Sequence, residues 1–549
     1  RFGHVAVSGL TRYRSGAMNH RWGDQLFATF FNLGKVVRLE TRRIGSSYGV
    51  TQHEFLSSSS RDFHPTDVLE DADGTLLVID TGGWFYRGCP TSQFSKPDVL
   101  GGIYRIRRAG MTPLVDPRGS RIDWRSQTPA SLMRLLNDTR FAVRQQAIAE
   151  CVRRGKAVLP NLASSSARGD VRVRQNAIWA VVRMAAREDL AESAGVVLTA
   201  ALTDPVAKIR QTACRGLSQC KTGDHAKALL PLLDDTDAAV RRTAAMALGK
   251  LGDPVAVPSL VAALQSGIDR AEDHAITYAL IEIGSVAAIR QAWQEVEHVT
   301  TIQSCSLMTA IDQMDPSQIL PAEVFVGLGS SDPRYRRSAL RIVSGHPQWA
   351  DEASRWIRER LGDWPDESSA TVIEALLPRF IHHDAVAELI GDSLANSESR
   401  EKQALMLGVI AAADPVPLHP TWSEPLRAML NESDDEVVTQ AISAITKIQG
   451  GEFSGRLKAL ASDPQRPSEV RIAALLAITA RTAAIDDETF SLLMQMCSGK
   501  EALGAAGRAA EILAAAKLTD AQLHQVASVL RHATPSQLKS LMQCFARTR

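Results

Sequence analysis

The chain has 549 residues, of which 45% are hydrophobic but only 5% aromatic, and its formal net charge is +1. This length exceeds what one compact core supports, so the sequence predicts several domains or a repeat array. The balanced charge argues against a polyanion-binding or membrane-surface protein, and no apolar run has the length of a transmembrane span. The cysteines are scattered without a C-x-x-C pair, which predicts neither a disulfide framework nor a zinc or haem attachment site.

Residues 1 to 108 contain short apolar alternations separated by turn sequences, a pattern typical of antiparallel strands. The predicted strands are His4–Ser8, Gln25–Phe31, Lys35–Glu40, Gln52–Ser57, Asp67–Glu70, Thr75–Asp80 and Gly102–Arg107. Two units of this region can be aligned with each other, so residues 1–110 are predicted to be the C-terminal blades, about two, of a β-propeller. The chain opens in what reads as the middle of a strand, and we therefore interpret it as a fragment whose other blades lie upstream.

Candidate site residues cluster in the second of these units. His64 and Asp67 open a strand, where a propeller strand normally lies near the central channel. A histidine beside a carboxylate can orient or deprotonate a substrate hydroxyl, so both are candidate catalytic residues. Asp80, followed by Gly82 and Gly83, can supply oxygen ligands to calcium and is a candidate cofactor-binding residue. The structural alternative is that His64 and Asp67 tie the strand to its loop, while Asp80 bonds the glycine turn.

The segment Trp84–Tyr86 is an aromatic cluster in a long loop. It either lines the rim of a pocket, which makes Trp84 a second candidate cofactor-binding residue, or packs on the sheet without a ligand. Cys89 lies in the same loop without a partner cysteine, and no residues with metal-ligand spacing are found.

From Asn137 to Lys250 one phrase recurs with a period of roughly 30 to 36 residues, in the range of helical solenoid repeats. Each copy has an acidic turn, then an aliphatic residue and an arginine that open an Ala-rich helix. The copies run from Asp138 to Val143-Arg144, from Asp170 to Val173-Arg174, from Asp204 to Ile209-Arg210 and from Asp235 to Val240-Arg241. We expect each Asp to bond free N–H groups of the helix, and each Arg to pair with an Asp of its own or a neighbouring repeat. Because every phrase arginine has acidic company, the phrase does not predict a nucleic-acid interface.

The fold class predicted from these patterns is mainly α: a HEAT-type α-solenoid preceded by a partial β-propeller. Residues 111–128 are predicted to be a linker, and residues 129–549 are predicted to form the solenoid. A solenoid presents an extended surface, which usually binds protein.

The motifs Phe63–Val68, Asp80–Tyr86 and Gly88–Ser92 resemble the planctomycete-type membrane-bound dehydrogenases. In that family a propeller like that of quinoprotein glucose dehydrogenase precedes HEAT repeats and a cytochrome c-like domain. The resemblance implies a periplasmic or otherwise extracytoplasmic parent protein, an oxidoreductase acting on sugars or related alcohols, with the HEAT array as docking or spacer arm. It also implies PQQ, calcium and haem c as cofactors of the parent. No C-x-x-C-H motif follows here and most blades are absent, so we expect this fragment to hold no cofactor and to be inactive.

A second hypothesis belongs to a different function class. The chain is then a non-catalytic scaffold that binds protein or carbohydrate through its solenoid and its propeller, without chemistry. Under either hypothesis the expected partners are a protein on the solenoid surface and a carbohydrate, with no nucleic acid.

Overall fold

A computed structural model describes residues 4–83, 96, 98–220, 224–265, 267–361, 367–396, 399–449, 451–480, 484–498 and 503–546. The chain divides into two compact units, Arg1–Gln318 and Ile319–Arg549. The first unit contains β-sheets followed by helices, and the second is helical apart from two short strands. The division predicted at residues 110 and 128 stays a prediction.

The N-terminal strands form two antiparallel sheets. The first sheet has the order β1-β2-β3-β4, and the second has the order β5-β6-β7. Their bounds are β1 Val7–Arg12, β2 Leu26–Phe30, β3 Lys35–Ile44, β4 Ser47–Ser57, β5 Pro65–Glu70, β6 Leu76–Asp80 and β7 Gly102–Ile106. Every predicted strand therefore has a counterpart, although β1 lies later than expected. Strands β3 and β4 extend to a two-residue turn at Gly45–Ser46, where the glycine has a φ of 56°.

The two sheets share one hydrophobic core, to which both contribute buried side chains. Its members are Tyr13, Met18, Phe27, Val36, Phe63, Val68, Leu76 and Val78. Phe27 meets Phe55 edge to face, with ring centroids 4.9 Å apart, and Trp22 packs against both rings. Strand β1 also packs against β5, where the Ser8 hydroxyl donates a hydrogen bond of 3.1 Å to the Pro65 carbonyl. The sheets thus form one module.

The prediction of propeller blades is wrong. A propeller repeats four-stranded sheets around a channel, whereas in the described residues the second sheet has three strands and the long β3–β4 hairpin ends against the helices. Apolar alternation predicts a strand and its buried face. It carries no information on which element will cover that strand's end, so it predicts the strands but not how they are arranged.

The first unit continues with helices in two layers. Their bounds are α1 Pro129–Leu135, α2 Phe141–Arg154, α3 Leu159–Arg168, α4 Val171–Ala185, α5 Ala191–Ala200, α6 Ala207–Leu217, α7 Ala226–Leu229, α8 Ala238–Leu251, α9 Val257–Ala263, α10 Arg270–Ile283, α11 Val286–Glu295 and α12 Thr301–Met314. The even-numbered helices α2 to α12 stack on one another in sequence order, and odd-numbered helices form the other layer. This stacking of helix pairs is the solenoid that the repeating phrase predicts.

The second unit repeats the two-layer arrangement. Its helices are α13 Pro321–Leu328, α14 Pro333–Ser344, α15 Ala350–Leu361, α16 Glu367–Phe380, α17 Asp384–Asn396, α18 Arg400–Ala412, α19 Pro420–Met429, α20 Asp435–Lys447, α21 Ser454–Ser462, α22 Ser468–Thr479, α23 Asp487–Ser498, α24 Leu503–Ala515, α25 Asp520–Val529 and α26 Pro535–Ala546. Two short parallel strands, β8 (Val416–Pro417) and β9 (Ile448–Gln449), pair between repeats. The indole of Trp422 is fully buried and donates a hydrogen bond of 2.7 Å to the Ala387 carbonyl, which ties α19 to α17.

The acidic residues of the phrase bond the helix starts, as predicted. Asp170 caps α4 by accepting from the Val173 N–H at 3.0 Å, and Asp237 caps α8 in the same way. Asp204 instead accepts from the Val206 N–H at 2.8 Å, within the turn before α6. Both arrangements satisfy N–H groups that have no partner inside the helix.

Three of the four phrase arginines join successive repeats, which confirms the predicted pairing for these three. The pairs are Arg174 with Asp204 (Nε to Oδ2, 2.9 Å), Arg210 with Asp235 (Nη2 to Oδ1, 2.7 Å) and Arg241 with Glu272 (Nη2 to Oε2, 3.0 Å). We call these pairs the arginine ladder. Each carboxylate is almost fully buried, and each guanidinium also donates through Nη1 to a carbonyl of its own turn. The ladder holds consecutive helices in register.

The turn between β3 and β4 is bound to the solenoid at the starts of α8 and α10. The Ser46 N–H and hydroxyl donate to the two carboxylate oxygens of Asp269, at 2.5 and 2.7 Å, and Arg242 donates to the Ser46 carbonyl at 3.1 Å. Arg43 pairs with Asp237. We call this set the hairpin clasp: Arg43, Gly45, Ser46, Asp237, Arg242 and Asp269. It fixes the sheet module against the even-numbered helix layer.

Among the helices in the described part of the chain, none has the length and apolar character needed to cross a bilayer. Within the same residues, no group of three or more His, Cys, Asp and Glu side chains is placed to hold a metal ion.

Candidate protein-binding cleft

A cleft of about 420 Å³ lies between the sheet module and the even-numbered helices of the first unit. Helix α4 forms its floor with residues that fall on one helical face at spacings of three and four. They are Arg172, Gln175, Asn176, Trp179 and Arg183. Such spacing places the side chains in one stripe along the helix axis.

Helix α2 forms one wall with the same periodicity, through Phe141, Arg144, Gln145 and Ile148, and α6 adds Lys208. Phe141 and Ile148 are buried, whereas Gln145 and Lys208 are exposed. The wall therefore has an apolar base and a polar rim. The two helices flank α4 because α2, α4 and α6 are consecutive members of one layer.

The sheet module forms the opposite wall with Arg12, Arg14 and Asp24. Arg12 and Arg14 flank the buried Tyr13, so both point away from the sheet core. Arg12 pairs with Asp24 at 2.5 Å, while the guanidinium of Arg14 lies over the Phe141 ring at 5.6 Å. This cation–π contact connects the sheet directly to α2.

Arg144 is a phrase arginine that departs from the ladder. Its Nη1 donates to the carbonyls of Asp138 and Thr139, at 2.7 and 2.9 Å, but within the described residues no carboxylate pairs with it. The equivalent acid of the next repeat, Asp170, accepts instead from the Asn137 amide at 2.7 Å. Burial, and after it the positive charge of Arg172, lowers the pKa of Arg144. Arg144 thus lines the cleft without the carboxylate partner that each arginine of the ladder has, as far as the described residues show.

The cleft is strongly positive. Its lining contains six basic side chains and one acidic side chain, Asp24, which is already paired with Arg12. Arg172, Arg183 and Lys208 are exposed and have no carboxylate partner in the part of the chain that the structure describes. Like charges held this close favour a bound anion.

The structure brings two of the predicted site residues together, His64 and Asp80, through backbone bonds. The His64 N–H and the Gly82 N–H both donate to Asp80 Oδ1, each at 2.9 Å. The His64 ring lies 5.0 Å from the Phe31 ring, and its Nδ1 lies 2.8 Å from the Gly82 carbonyl oxygen. Through these contacts both residues stabilise the strand ends and the glycine turn.

Asp67 is engaged separately, since its Oδ1 accepts from the N–H of its own neighbour Val68 at 2.8 Å. Among the described residues, no hydrogen bond joins Asp67 to His64 or Asp80. Trp84 and Cys89 lie outside the described residues. The assignment of His64, Asp67, Asp80 and Trp84 as catalytic or cofactor-binding residues remains a prediction.

Comparison with known proteins supports the helical architecture. Residues 195–281 match the family model of HEAT repeats. The fold is a HEAT-type solenoid. The chain is similar to the karyopherin Kap121p in its complex with the SUMO protease Ulp1p, with a TM-score of 0.50, 13% identity, and coverage of 76% of this chain and 53% of that chain.

Two further structures have lower TM-scores. Kap95p with RanGDP has a TM-score of 0.41 and 11% identity, covering 76% of this chain and 66% of that chain. The CpcE–CpcF complex of phycocyanin lyase from Nostoc sp. PCC7120 has a TM-score of 0.24 and 20% identity, covering 46% of this chain and 92% of that chain. The chain spans about half the length of the Kap121p structures that it matches. No curated protein matches the sequence.

These findings overturn the resemblance to the membrane-bound dehydrogenases. The matches reported are to HEAT repeats and to karyopherins, and the sheets of the described residues show no propeller. The interpretations that depended on the resemblance are therefore wrong: an oxidoreductase, its sugar or alcohol substrate, and a periplasmic or extracytoplasmic location. His64 and Asp80, the described residues of these motifs, meet at a strand end and a glycine turn.

Sequence reasoning missed the cleft because it considered one arginine in each repeat. Three of the phrase arginines are paired with carboxylates, but Arg172, Arg183 and Lys208 lie at other positions of the same helices. A signal was present, since Arg172, Gln175, Asn176, Trp179 and Arg183 follow the helical period on α4. No sequence pattern indicated that Arg12 and Arg14 line the cleft, because their position there depends on how the sheet module packs against the helices.

Proposed function

We propose that this protein is a non-catalytic scaffold that binds a partner protein in the cleft between the sheet module and helices α2, α4 and α6. The observation that carries the proposal is the cleft itself: a stripe of polar and basic side chains around Trp179 that two separate structural elements enclose. Extended solenoid surfaces commonly serve as protein-binding surfaces. The similar karyopherin is itself bound to a protein, the SUMO protease Ulp1p.

The clasp and the ladder support the same function. A binding surface composed of several elements requires that they keep fixed positions, because ordering them on binding costs free energy. The arginine ladder fixes α4, α6, α8 and α10, and the hairpin clasp fixes the sheet against α8 and α10. The floor of the cleft on α4 and its wall on the sheet module are therefore held in place before a partner binds.

Photo-crosslinking tests the proposal. The photoreactive residue p-benzoylphenylalanine replaces Trp179 in the full chain, which is then irradiated in an extract of its source cells. The matched control replaces Val196, an exposed residue of α5 in the other helix layer. We expect a discrete protein adduct from position 179 that excess unlabelled protein competes away, and none from position 196. Equal labelling at the two positions, or an adduct at position 196 alone, would contradict the proposal.

A further inference from the structure

We infer that the cleft recognises an acidic, extended segment of the partner protein, an inference that rests on the proposed function and assigns its ligand chemistry. The carboxylates of such a segment would meet Arg172, Arg183 and Lys208, and its backbone would run along the stripe of α4. Guanidinium groups suit this task, since each can form two parallel hydrogen bonds with one carboxylate.

The first argument is that Arg144, unlike the arginines of the ladder, is not paired with a carboxylate of the described residues. In the other repeats with a phrase arginine, a carboxylate of the following repeat holds the guanidinium. At Arg144, no carboxylate of the described residues pairs with the guanidinium, and the neighbouring Arg172 adds a second positive charge. A carboxylate from a partner would occupy the same role that Asp204 has for Arg174.

The amide and aromatic side chains are the second argument. Gln145 and Gln175 line the cleft beside Trp179, and Asn176 already uses its amide nitrogen on the Leu136 carbonyl at 2.8 Å. Side-chain amides both donate and accept, so they match the N–H and C=O groups of an extended peptide. The half-buried indole of Trp179 offers an apolar surface for a side chain between two acidic residues.

The distribution of charge favours a protein segment over a nucleic acid. The ladder carboxylates Asp235 and Glu272 pair with Arg210 and Arg241, so these two arginines of α6 and α8 add no unpaired cation to the surface. The six basic side chains of the cleft line a volume of about 420 Å³, within the range of roughly 300–1,000 Å³ typical of small-ligand sites. Nucleic-acid binding draws on a longer series of phosphate contacts, and the whole chain carries a net charge of only +1.

Fluorescence anisotropy with defined probes tests the inference. The full chain is titrated into three labelled probes of equal length: a peptide of Glu, Asp and Gly, the same peptide with Gln and Asn in place of the acids, and an oligothymidylate. We expect the acidic peptide to bind at least about tenfold more tightly than the neutral peptide and more tightly than the oligonucleotide, with an affinity that falls as salt rises.

Charge reversal supplies the matched variants. Arg172→Glu/Lys208→Glu removes two cleft cations and should weaken binding of the acidic peptide by about tenfold or more. Arg168→Glu/Arg215→Glu makes the same change in charge at exposed positions of α3 and α6 outside the cleft, and should leave the affinity unchanged. A fall in affinity that is equal in both variants would show a general charge effect and overturn the inference.

The remaining outcomes also decide the question. Equal binding of the acidic and neutral peptides, or binding of neither, would overturn the acidic specificity, while the crosslink from position 179 would still report partner binding. Tighter binding of the oligothymidylate would overturn the inference in favour of a nucleic-acid ligand. If position 179 gives no crosslink but the acidic peptide binds, the proposed partner function fails and the anion chemistry of the cleft stands.

Discussion

Individual residues decide how the sheet module meets the solenoid. Gly45 has a left-handed backbone, and a Cβ atom there would lie 2.4 Å from an oxygen of Asp269. Burial acts to raise the pKa of Asp269, but the donors of Ser46, Glu272 and Ala271 outweigh it and lower that pKa below its usual value. The close contact thus requires a residue without a side chain at position 45, because Asp269 accepts hydrogen bonds through both carboxylate oxygens.

Replacing Gly45 by Ala should destabilise the first unit by about 2–3 kcal/mol, because backbone strain and the clash with Asp269 both act. Gly110→Ala is the matched control, since Gly110 also has a positive φ but its Cβ would meet nothing within 4 Å. We expect the control to cost only about 1 kcal/mol. Denaturant unfolding of the two variants measures the difference, and equal losses would show that the clasp does not depend on the close approach at Gly45.

Glu150 predicts a pH dependence of stability. Hydrogen bonds from Arg153 and then Arg154 lower its pKa from 4.5 to about 2. Its carboxylate therefore stabilises the fold fully above about pH 4.5, and this contribution is lost as the pH falls from there toward about 2. Arg154 in turn donates to the Trp124 carbonyl at 2.8 Å, so Glu150 supports the segment before α1.

The variant Glu150→Gln should accordingly be less stable than the unmodified protein at neutral pH, and the difference should shrink as the pH approaches 2. Urea unfolding across this range measures it. Glu188→Gln changes an exposed glutamate without a described ion pair and serves as the control. A difference for Glu150→Gln that stays constant with pH would contradict the assigned interaction.

At the scale of elements, the repeating phrase accounts for the solenoid. The Asp residues of the phrase bond helix starts, the aliphatic residues pack between the layers, and the arginines connect successive repeats. The ladder differs from surface ion pairs because its carboxylates are buried: Asp235 keeps only 6% of its side-chain exposure. Removing one partner of such a pair leaves an uncompensated buried charge.

Arg210→Ala should therefore cost about 3 kcal/mol, because Asp235 loses both of its guanidinium bonds. Lys227→Ala removes an exposed pair with Asp224 on α7 and should leave the unfolding midpoint unchanged. Thermal unfolding of the two variants tests this contrast. A midpoint for Arg210→Ala that matches the control would mean that the ladder contributes nothing to the register of the repeats.

At the scale of the whole molecule, sequence patterns predicted the structure that nearby residues form. They did not predict contacts between residues far apart in the sequence. The strands, the helices, the capping by Asp170 and the pairing of Arg210 all follow from residues within one or two repeats. The hairpin clasp joins Ser46 to a residue 223 positions away, and no periodicity marks such a contact. The interpretation as propeller blades failed at this step, because it inferred from two alignable strand units an arrangement that the alternation of residues does not specify.

The same distinction between nearby and distant residues applies to the cleft. Its floor on α4 was readable as a helical stripe, but its positive character arises because Arg12 and Arg14 are brought from the sheet to Arg144 and Arg172. The sequence as a whole is nearly neutral, and this local excess of charge is hidden in the total. The cleft on which the proposed function rests is thus visible only once the two elements are placed side by side.

The most direct test of this account is hydroxyl-radical footprinting of the full chain with the acidic peptide bound at saturation. Oxidation of Trp179 reports on the floor of the cleft, and oxidation of Trp293, a half-buried residue of α11 outside it, is the internal control. We predict that the peptide slows oxidation of Trp179 several-fold and leaves Trp293 unchanged. An unchanged rate at Trp179, with the peptide demonstrably bound, would place the binding surface elsewhere and contradict the account.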